Sequence, residues 1–176
     1  MSMKQIFSIP LVAIMLLLLS PANAAREDTV QAIIPWEAEG RVFQVETNKV
    51  IFLGAMEGVM YVETSAGELH EAFVMCPVMQ EMDLESGATS AVGRCEITVS
   101  PVDVLYAKLS CEGRVGECVG EFTLIDGEGK FAGITGSGKL RVRSPMHALI
   151  ADMSGGQLLR VASGLAIIDD LKYSVP

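Results

Sequence analysis

After a short polar lead at residues 26–29, apolar and polar residues alternate along this chain almost to its C-terminus. A period of two places every second side chain on the same face of a strand. The pattern predicts eight strands, at residues 41–47, 50–64, 69–84, 89–100, 102–111, 118–126, 139–152 and 157–169. Beyond the first 24 residues, no segment keeps a 3.6-residue period for three turns, so we predict an all-β protein.

The predicted strands are separated by short turn sequences, including Thr47-Asn48, Ser86-Gly87 and Ser100-Pro101. Strands joined by such turns form an antiparallel meander, and closing the sheet on itself removes its two exposed edges. We therefore predict a single eight-stranded antiparallel up-and-down β-barrel that occupies residues 25–176.

The densest glycine sequence lies at residues 127–139, GEGKFAGITGSGK, with five glycines in thirteen residues. Glycine tolerates positive φ, so this density predicts a backbone path that other residues cannot follow. We expect a compact, buried corner between two strands, built on Gly127, Gly129, Phe131, Gly133 and Gly136. The apolar side chains of the stretch are expected to pack against the barrel.

The four cysteines test the register of two predicted hairpins. If Cys76 lies opposite Cys95 and Cys111 lies opposite Cys118, each hairpin has one apolar face, and that face carries its cysteines. In an oxidising compartment these pairs should form disulfides, each worth about 2–3 kcal/mol. A second register, with Cys95 opposite Cys111, keeps the same faces and leaves Cys76 to pair with Cys118, and the sequence leaves it open.

Residues 1–24 have the pattern of a cleaved signal peptide. Lys4 supplies the positive region, Leu11 to Leu19 form an apolar run, and Ala22-Asn23-Ala24 is a small-x-small cleavage site. The run is shorter than the roughly 20 residues needed to span a bilayer. We expect a mature protein that starts at Ala25, has no membrane span and is secreted or periplasmic.

The formal net charge of −9 becomes −10 once Lys4 is removed with the signal peptide. Nucleic acids and anionic membrane surfaces both require basic patches, so this acidity excludes them as expected partners.

Motifs for metal or nucleotide chemistry are incomplete. Gly133 to Lys139 has the G-x-x-x-x-G-K spacing of a phosphate-binding loop, but Leu140 stands where Ser or Thr must bind magnesium. The two histidines, His70 and His147, are too few for a histidine metal cage. Met75 and Met79 would point to the opposite strand face from Cys76, which argues against a Cu(I) site. We expect no metal and no other cofactor.

Glu57, Tyr61 and Glu63 alternate along the second predicted strand. If they faced an apolar lumen, the carboxylates would have raised pKa values and would be candidates for acid–base catalysis. The simpler interpretation, which we favour, is that they form the solvent face of that strand. Glu57 and Glu63 are the weak catalytic candidates of this chain.

The run from Gly116 to Leu140, GECVGEFTLIDGEGKFAGITGSGKL, resembles the allene oxide cyclase-like barrel families. These include bacterial secreted members and, more distantly, plant allene oxide cyclases and dirigent proteins. The resemblance implies an eight-stranded calycin-type barrel, often with an apolar cavity, and transfers no catalytic residue.

These observations lead to three hypotheses about function. The first is a non-enzymatic barrel that binds a small apolar ligand or a protein partner. The alternative is an isomerase or cyclase that acts on a lipid-like substrate in the lumen. The third is a purely structural or oligomer-forming barrel.

Overall fold

The structure, a computed structural model, describes residues 26–64, 66–145, 150–152 and 158–176. The strands in these ranges are β1 Arg26–Glu46, β2 Lys49–Glu63, β3 Leu69–Asp83, β4 Ala88–Ser100, β5 Asp103–Arg114, β6 Glu117–Gly127, β7 Thr135–Arg143, β8 Ile150–Asp152 and β9 Leu158–Val175. A single 3₁₀ turn, Gly129–Phe131, lies between β6 and β7. The predicted signal peptide falls outside the described residues.

The strands form one closed antiparallel barrel, as predicted. Each strand from β1 to β6 pairs with the next, β7 pairs with β9, and β9 pairs with β1 over residues 158–175 to close the sheet. Strands β7 and β8 pair with successive stretches of β9, so together they occupy one of eight strand positions. The described residues contain no helix long and apolar enough to cross a membrane.

The barrel has two different ends. The turns at residues 47–48, 84–87 and 115–116 lie at one end, which we call the hairpin end. The turns at residues 64–68 and 101–102, the glycine-rich connection between β6 and β7, and Pro176 lie at the other, which we call the corner end.

Alternation divides each strand into an inner and an outer face. Inner side chains such as Ala32, Ile34, Val74, Phe122 and Ile168 are almost fully buried and form one apolar core. A buried apolar interior of this kind is the main source of stability in a barrel of this size.

The first strand is much longer than predicted. It begins at Arg26 rather than at residue 41, and its alternating inner residues run from Val30 to Ala38. Proline normally weakens a strand because it lacks an N–H donor. Here Pro35 lies in a gap of the β1–β2 ladder, between the Ile33–Tyr61 and Trp36–Gly58 pairs, so the strand continues past it.

The last strand also continues beyond its predicted end at Asp169. The register of β9 shifts there on both sides, between Val30 and Ala32 of β1 and between Ser137 and Lys139 of β7. Asp170 has φ 49°, and among the described residues it is the only non-glycine residue with positive φ. The acidic pair therefore forms a β-bulge, a feature that bends a strand without ending it.

The glycine-rich corner is shorter than predicted. It consists of residues 128–134, because Gly136 and Gly138 already belong to β7. Gly129 and Gly133 have φ of 63° and 76°, whereas Gly136 is not among the positive-φ glycines. Gly136 is instead needed for close approach, since a Cβ there would overlap the Lys172 carbonyl oxygen.

Strand β5 holds the corner in place. The Lys130 amide donates a 3.0 Å hydrogen bond to Asp103 Oδ1, and the Tyr106 hydroxyl donates one of 2.7 Å to Glu128. The hydrogen bond from the Lys130 amide is the main cause that lowers the pKa of Asp103, and the hydrogen bond to Glu128 is the main cause that raises the pKa of Tyr106. Ile134 is 1% exposed and closes this end of the core, and Phe131 is partly buried and packs against the core. The remaining residues of the corner, 128–130, 132 and 133, are exposed, so the corner is not the buried one that we expected.

Both predicted disulfides are present, Cys76–Cys95 and Cys111–Cys118, and the chain has no free cysteine. The predicted register of β3 and β4 is confirmed by the Val74–Ile97 and Val78–Gly93 pairs on either side of the first bridge.

The predicted register of β5 and β6 is wrong by two residues. Cys111 lies opposite Gly120 and Cys118 lies opposite Gly113, so the disulfide runs diagonally between the strands. The two-residue turn is Val115-Gly116, and Gly116 supplies its positive φ of 92°. A shift of two residues keeps every side chain on its face, which is why the predicted faces are nevertheless correct.

Candidate functional site

The candidate site is a cavity of about 100 Å³ inside the barrel, toward the hairpin end. Its walls come from strands on every side of the barrel and are almost entirely apolar. The lining residues include Ile34, Trp36, Ala38, Phe52, Met56, Val78, Leu109, Phe122, Leu140, Val142, Ala162 and Ala166.

Glycines let two aromatic rings lie against the wall of the cavity. A Cβ on Gly164 would lie 2.7 Å from Trp36 Cζ2, and a Cβ on Gly40 would lie 2.6 Å from Phe52 Cε2. Such contacts are too short for real Cβ atoms, and each Cβ would also overlap a backbone carbonyl oxygen, that of Arg143 for Gly164 and that of Leu53 for Gly40. A larger residue at either position would therefore displace the neighbouring strand, the ring or both. The two glycines let each ring lie directly against the barrel wall.

Both disulfides contribute to the cavity wall. Cys76, Cys111 and Cys118 are lining residues, and Cys95 is buried next to them in the core. Each bridge joins neighbouring strands, with Cα–Cα distances of 4.1 Å for the first and 5.5 Å for the second. They hold the wall together where a hollow interior provides fewer packing contacts.

Polar groups of the lining lie at the rim, at the hairpin end. They are Gln80, Arg114, Glu117 and Ser144. Arg114 donates a hydrogen bond of 3.2 Å to the Ser86 carbonyl, and Glu117 forms a 2.8 Å ion pair with Arg143. The amides of Val115 and Ser144 donate to the carbonyls of Gly87 and Gly116, so successive turns are tied into a continuous rim.

One lining residue has a buried polar atom without a protein partner. Trp36 is 9% exposed, and its Nε1–H donates to no acceptor. Buried donors are nearly always hydrogen-bonded, so an unpaired one is an unusual feature. The hydroxyl of buried Thr89, which is not a lining residue, also has no partner.

The weak catalytic candidates lie elsewhere. Glu57 and Glu63 are exposed on the outer face of β2, as is Tyr61, whereas the inner face of that strand carries Met56 and Met60. The structure does not bring either glutamate to the cavity, and among the described lining residues the charged ones are Arg114 and Glu117, both at the rim.

The other motifs are dispersed as well. His70 is exposed and lies 3.6 Å from a Glu68 oxygen, and His147 falls outside the described residues. Met75 and Met79 point outward while Cys76 is in a disulfide. Within the described part of the chain, no three His, Cys, Asp or Glu side chains are close enough to hold a metal ion.

An outer apolar face lies on β1 to β4, on the outside of the wall that carries Phe52 and Met56. It is formed by Ile33, Phe43, Leu53, Val59, Phe73, Met75, Met79 and Val92, each between 37% and 50% exposed. Leu53, Met79 and Val92 are direct neighbours across three strands. Contiguous apolar surface of this kind is typical of protein interaction sites.

Fold and site together define an eight-stranded antiparallel β-barrel with an apolar interior cavity that reaches one rim. No known protein-family model matches the chain. No curated protein matches it either. Among solved structures, the chain is similar to a pterocarpan synthase dirigent protein at 12% identity, over 86% of this chain and 96% of that one, with a TM-score of 0.31. A likeness this weak carries no argument, and the description of the fold rests on the chain's own structure.

Proposed function

We propose that this protein is a secreted or periplasmic, non-enzymatic barrel that binds a small apolar ligand in its interior cavity. The observation that carries the proposal is the cavity itself, since natural cores are close-packed and keep few voids of this size. Small apolar cavities of comparable volume stay dry and accept benzene-sized ligands. The two disulfides suit an oxidising compartment.

The composition of the lining supports binding rather than chemistry. Catalysis of proton transfer requires a titratable group within hydrogen-bond reach of the substrate. The described lining places its charged residues, Arg114 and Glu117, at the rim, where each has a partner already. The remaining described lining residues offer an almost entirely apolar surface.

A cavity-filling variant tests the proposal. Ala162 lines the cavity and is 5% exposed, so Ala162→Leu adds three carbons to the space that a ligand would use. The control is Ala55→Leu, which makes the same change on the outer face of β2. We expect saturation-transfer NMR to detect cyclopentane bound to the wild type and to Ala55→Leu, with at least tenfold weaker binding to Ala162→Leu.

Two outcomes would contradict ligand binding in the cavity. One is the absence of cyclopentane binding to folded wild-type protein. The other is equal binding to Ala162→Leu and to the wild type, which would place the probe on the outer apolar face. Solvent extraction of protein purified from its natural compartment, followed by mass spectrometry, then shows whether a natural apolar molecule accompanies it.

The outer apolar face supports a second candidate function, the binding of a protein partner, including a second copy of the chain. Met79 is 44% exposed at the centre of this face, between Leu53 and Val92. Met79→Lys places a charge there without touching the core. Sedimentation of the wild type as a dimer and of Met79→Lys as a monomer would support self-association, and monomers in both cases would contradict it.

A further inference from the structure

We infer that the outer apolar face is the interface of a two-fold symmetric dimer, in which Glu57 of each copy forms an ion pair with Arg94 of the other. The inference rests on the second function proposed above, the binding of a protein partner, and it names that partner as a second copy of this chain. It does not depend on ligand binding in the cavity.

The first step is the size of the face where it is centred, on β2, β3 and β4. The central residues are Leu53, Val59, Phe73, Met75, Met79 and Val92, each between 37% and 48% exposed. With roughly 200 Å² for a fully exposed side chain of this size, they present about 500 Å² of apolar surface. A standard interface buries about 800 Å² on each partner, of which roughly 60% is apolar. The face is therefore large enough for one dimer interface.

The second step is the presence of like charges on both sides of this face. On one side, Glu37 of β1 lies directly opposite Glu57 of β2. On the other side, Arg94 of β4 lies directly opposite Lys108 of β5. All four side chains are exposed, and none of them has an ion-pair or hydrogen-bond partner among the described residues.

Like charges directly opposite each other on neighbouring strands destabilise a sheet. The acidic pair and the basic pair therefore each lack an opposite charge that would offset this repulsion. Glu96 lies two residues from Arg94 on the same face, so the basic side carries one carboxylate beside its two cations. A second copy can supply the missing charge to both pairs at once.

The third step is the position of the two pairs relative to β3. They lie on opposite sides of this strand, whose outward side chains from Phe73 to Met79 are apolar. In a two-fold dimer the same patch meets itself. An axis that runs along β3 in the plane of the interface brings the acidic side of one copy to the basic side of the other. The face is thus complementary to itself in charge.

The fourth step is the choice of the residues that pair. Glu57 and Arg94 lie on the two strands next to β3. Each lies one strand closer to the axis than its like-charged neighbour, and the surface of a barrel curves away from the axis on both sides. Glu57 and Arg94 therefore form the ion pairs of the interface.

Charge reversal tests this pairing in analytical ultracentrifugation. Glu57→Arg leaves cation facing cation in a dimer of that variant, and Arg94→Glu leaves carboxylate facing carboxylate. We expect each variant alone to associate about tenfold or more weakly than the wild type. An equimolar mixture of the two variants has opposite charges at both contacts, so it should sediment as a heterodimer.

Glu121→Arg is the control, because it makes the same change at an exposed position of β6, outside the face. It should sediment as the wild type does. The heterodimer also shows that both reversed variants are folded, since unfolded chains would not restore a two-fold interface.

Three outcomes separate this inference from the other proposals. A wild type that remains monomeric at submillimolar concentration would overturn the dimer and leave the face to a different partner. A wild-type dimer together with a monomeric mixture of the folded variants would overturn the Glu57–Arg94 pairing. Cyclopentane binding, measured on the same samples, reports on the cavity alone, so failure of the dimer and failure of ligand binding give different results.

Discussion

At the scale of single residues, the cavity depends on glycines that face aromatic rings. Trp36 has space beside Gly164, and Phe52 has space beside Gly40. An aromatic ring that lies over a glycine packs against the inner surface of the barrel wall and does not extend into the centre of the barrel. The hollow interior is thus a consequence of where side chains are missing as much as of where they are present.

The variant Gly164→Ala tests this dependence. Its Cβ would overlap the Arg143 carbonyl oxygen and lie 2.7 Å from Trp36 Cζ2, so the β7 backbone and the indole must both move. We expect a loss of stability of about 1–3 kcal/mol from overpacking, together with a shift of the tryptophan emission spectrum. Ser163→Ala, one residue away on the opposite face of β9, is the control, and an unchanged spectrum for Gly164→Ala would contradict the proposed packing.

Residues of the glycine corner act on stability, and they do so unequally. Ile134 is 1% exposed, so Ile134→Ala should lower the free energy of unfolding by about 2–5 kcal/mol. Phe131 is only partly buried, so Phe131→Ala should cost less than the 3–5 kcal/mol typical of a buried phenylalanine. Urea titration measures both, and an unchanged midpoint for both variants would indicate a binding loop instead of a structural corner.

Substitutions at Gly133 measure how much the backbone conformation of the same corner contributes to stability. Its φ is 76°, and a Cβ there would meet only Pro176, at 3.0 Å or more. The cost of Gly133→Val should therefore come mainly from strain in the left-handed region, about 1–2 kcal/mol. Gly133→Asn should cost less, because asparagine tolerates positive φ, and an equal loss in the two variants would point to steric crowding.

At the scale of strands, the bulge of β9 is stabilised by a charged pair across the β7–β9 ladder. Arg141 Nε donates a 2.7 Å hydrogen bond to Asp169 Oδ2, and a second guanidinium N–H donates to Oδ1 at 3.0 Å. A two-bond contact between guanidinium and carboxylate is the strongest common form of ion pair. It marks the point where both neighbours of β9 change register.

The pH dependence of the free energy of unfolding should reveal the contribution of the Arg141–Asp169 pair. The Arg141 hydrogen bonds lower the pKa of Asp169 below its ordinary value of 3.8. A lowered pKa means that the ionised carboxylate stabilises the fold above pH 3.8 and that this contribution is lost as the pH falls through the folded-state pKa. Asp169→Asn should therefore be less stable than the wild type at pH 7, with a difference that shrinks below pH 3.8.

Asp170→Asn is the matched control for this experiment. Asp170 is the next residue, is exposed, and has the positive φ that asparagine also tolerates. It should unfold like the wild type at every pH. A constant difference between Asp169→Asn and the wild type from pH 7 to pH 2.5 would show that the carboxylate acts through packing, not through its charge.

At the scale of the whole molecule, two disulfides reinforce a barrel with a hollow interior. The bridges close loops with sequence separations of 19 residues for Cys76–Cys95 and 7 residues for Cys111–Cys118. Loop-closure entropy grows with loop length, which gives about 3 kcal/mol for the first and about 2 kcal/mol for the second.

Removal of each disulfide by paired Cys→Ala substitutions tests whether Cys76–Cys95 stabilises the fold more than Cys111–Cys118. The variant without Cys76 and Cys95 should have the lower midpoint in guanidinium chloride, because it loses the longer loop. The wild type should show no reactive thiol when unfolded without a reductant, and reduction should lower its melting temperature. Four reactive thiols in the unreduced protein, or the opposite order of the two variants, would contradict the expectation.

Much of the architecture follows from local sequence. Period-two alternation from residue 50 to residue 126 identifies β2 to β6 to within a few residues, because one face of each strand must be apolar in a barrel. The same alternation places all four cysteines on apolar faces, and the structure pairs Cys76 with Cys95. The two terminal strands were underestimated because Pro35 and the Asp169-Asp170 pair are local signals for an end, and pairing on both sides outweighs them.

The sequence by itself determined which side chains face inward and that the barrel has eight strand positions, because these properties depend only on the alternation of apolar and polar residues and on short turns. The tertiary structure decided what alternation cannot: which cysteines pair, the two-residue shift between β5 and β6, the partly exposed position of Phe131, and the cavity beside Trp36. A cavity is the volume that remains after strands distant in sequence have packed together. Its size depends on glycines and aromatic rings meeting across the barrel, as Gly164 and Trp36 do, and no local pattern records that meeting.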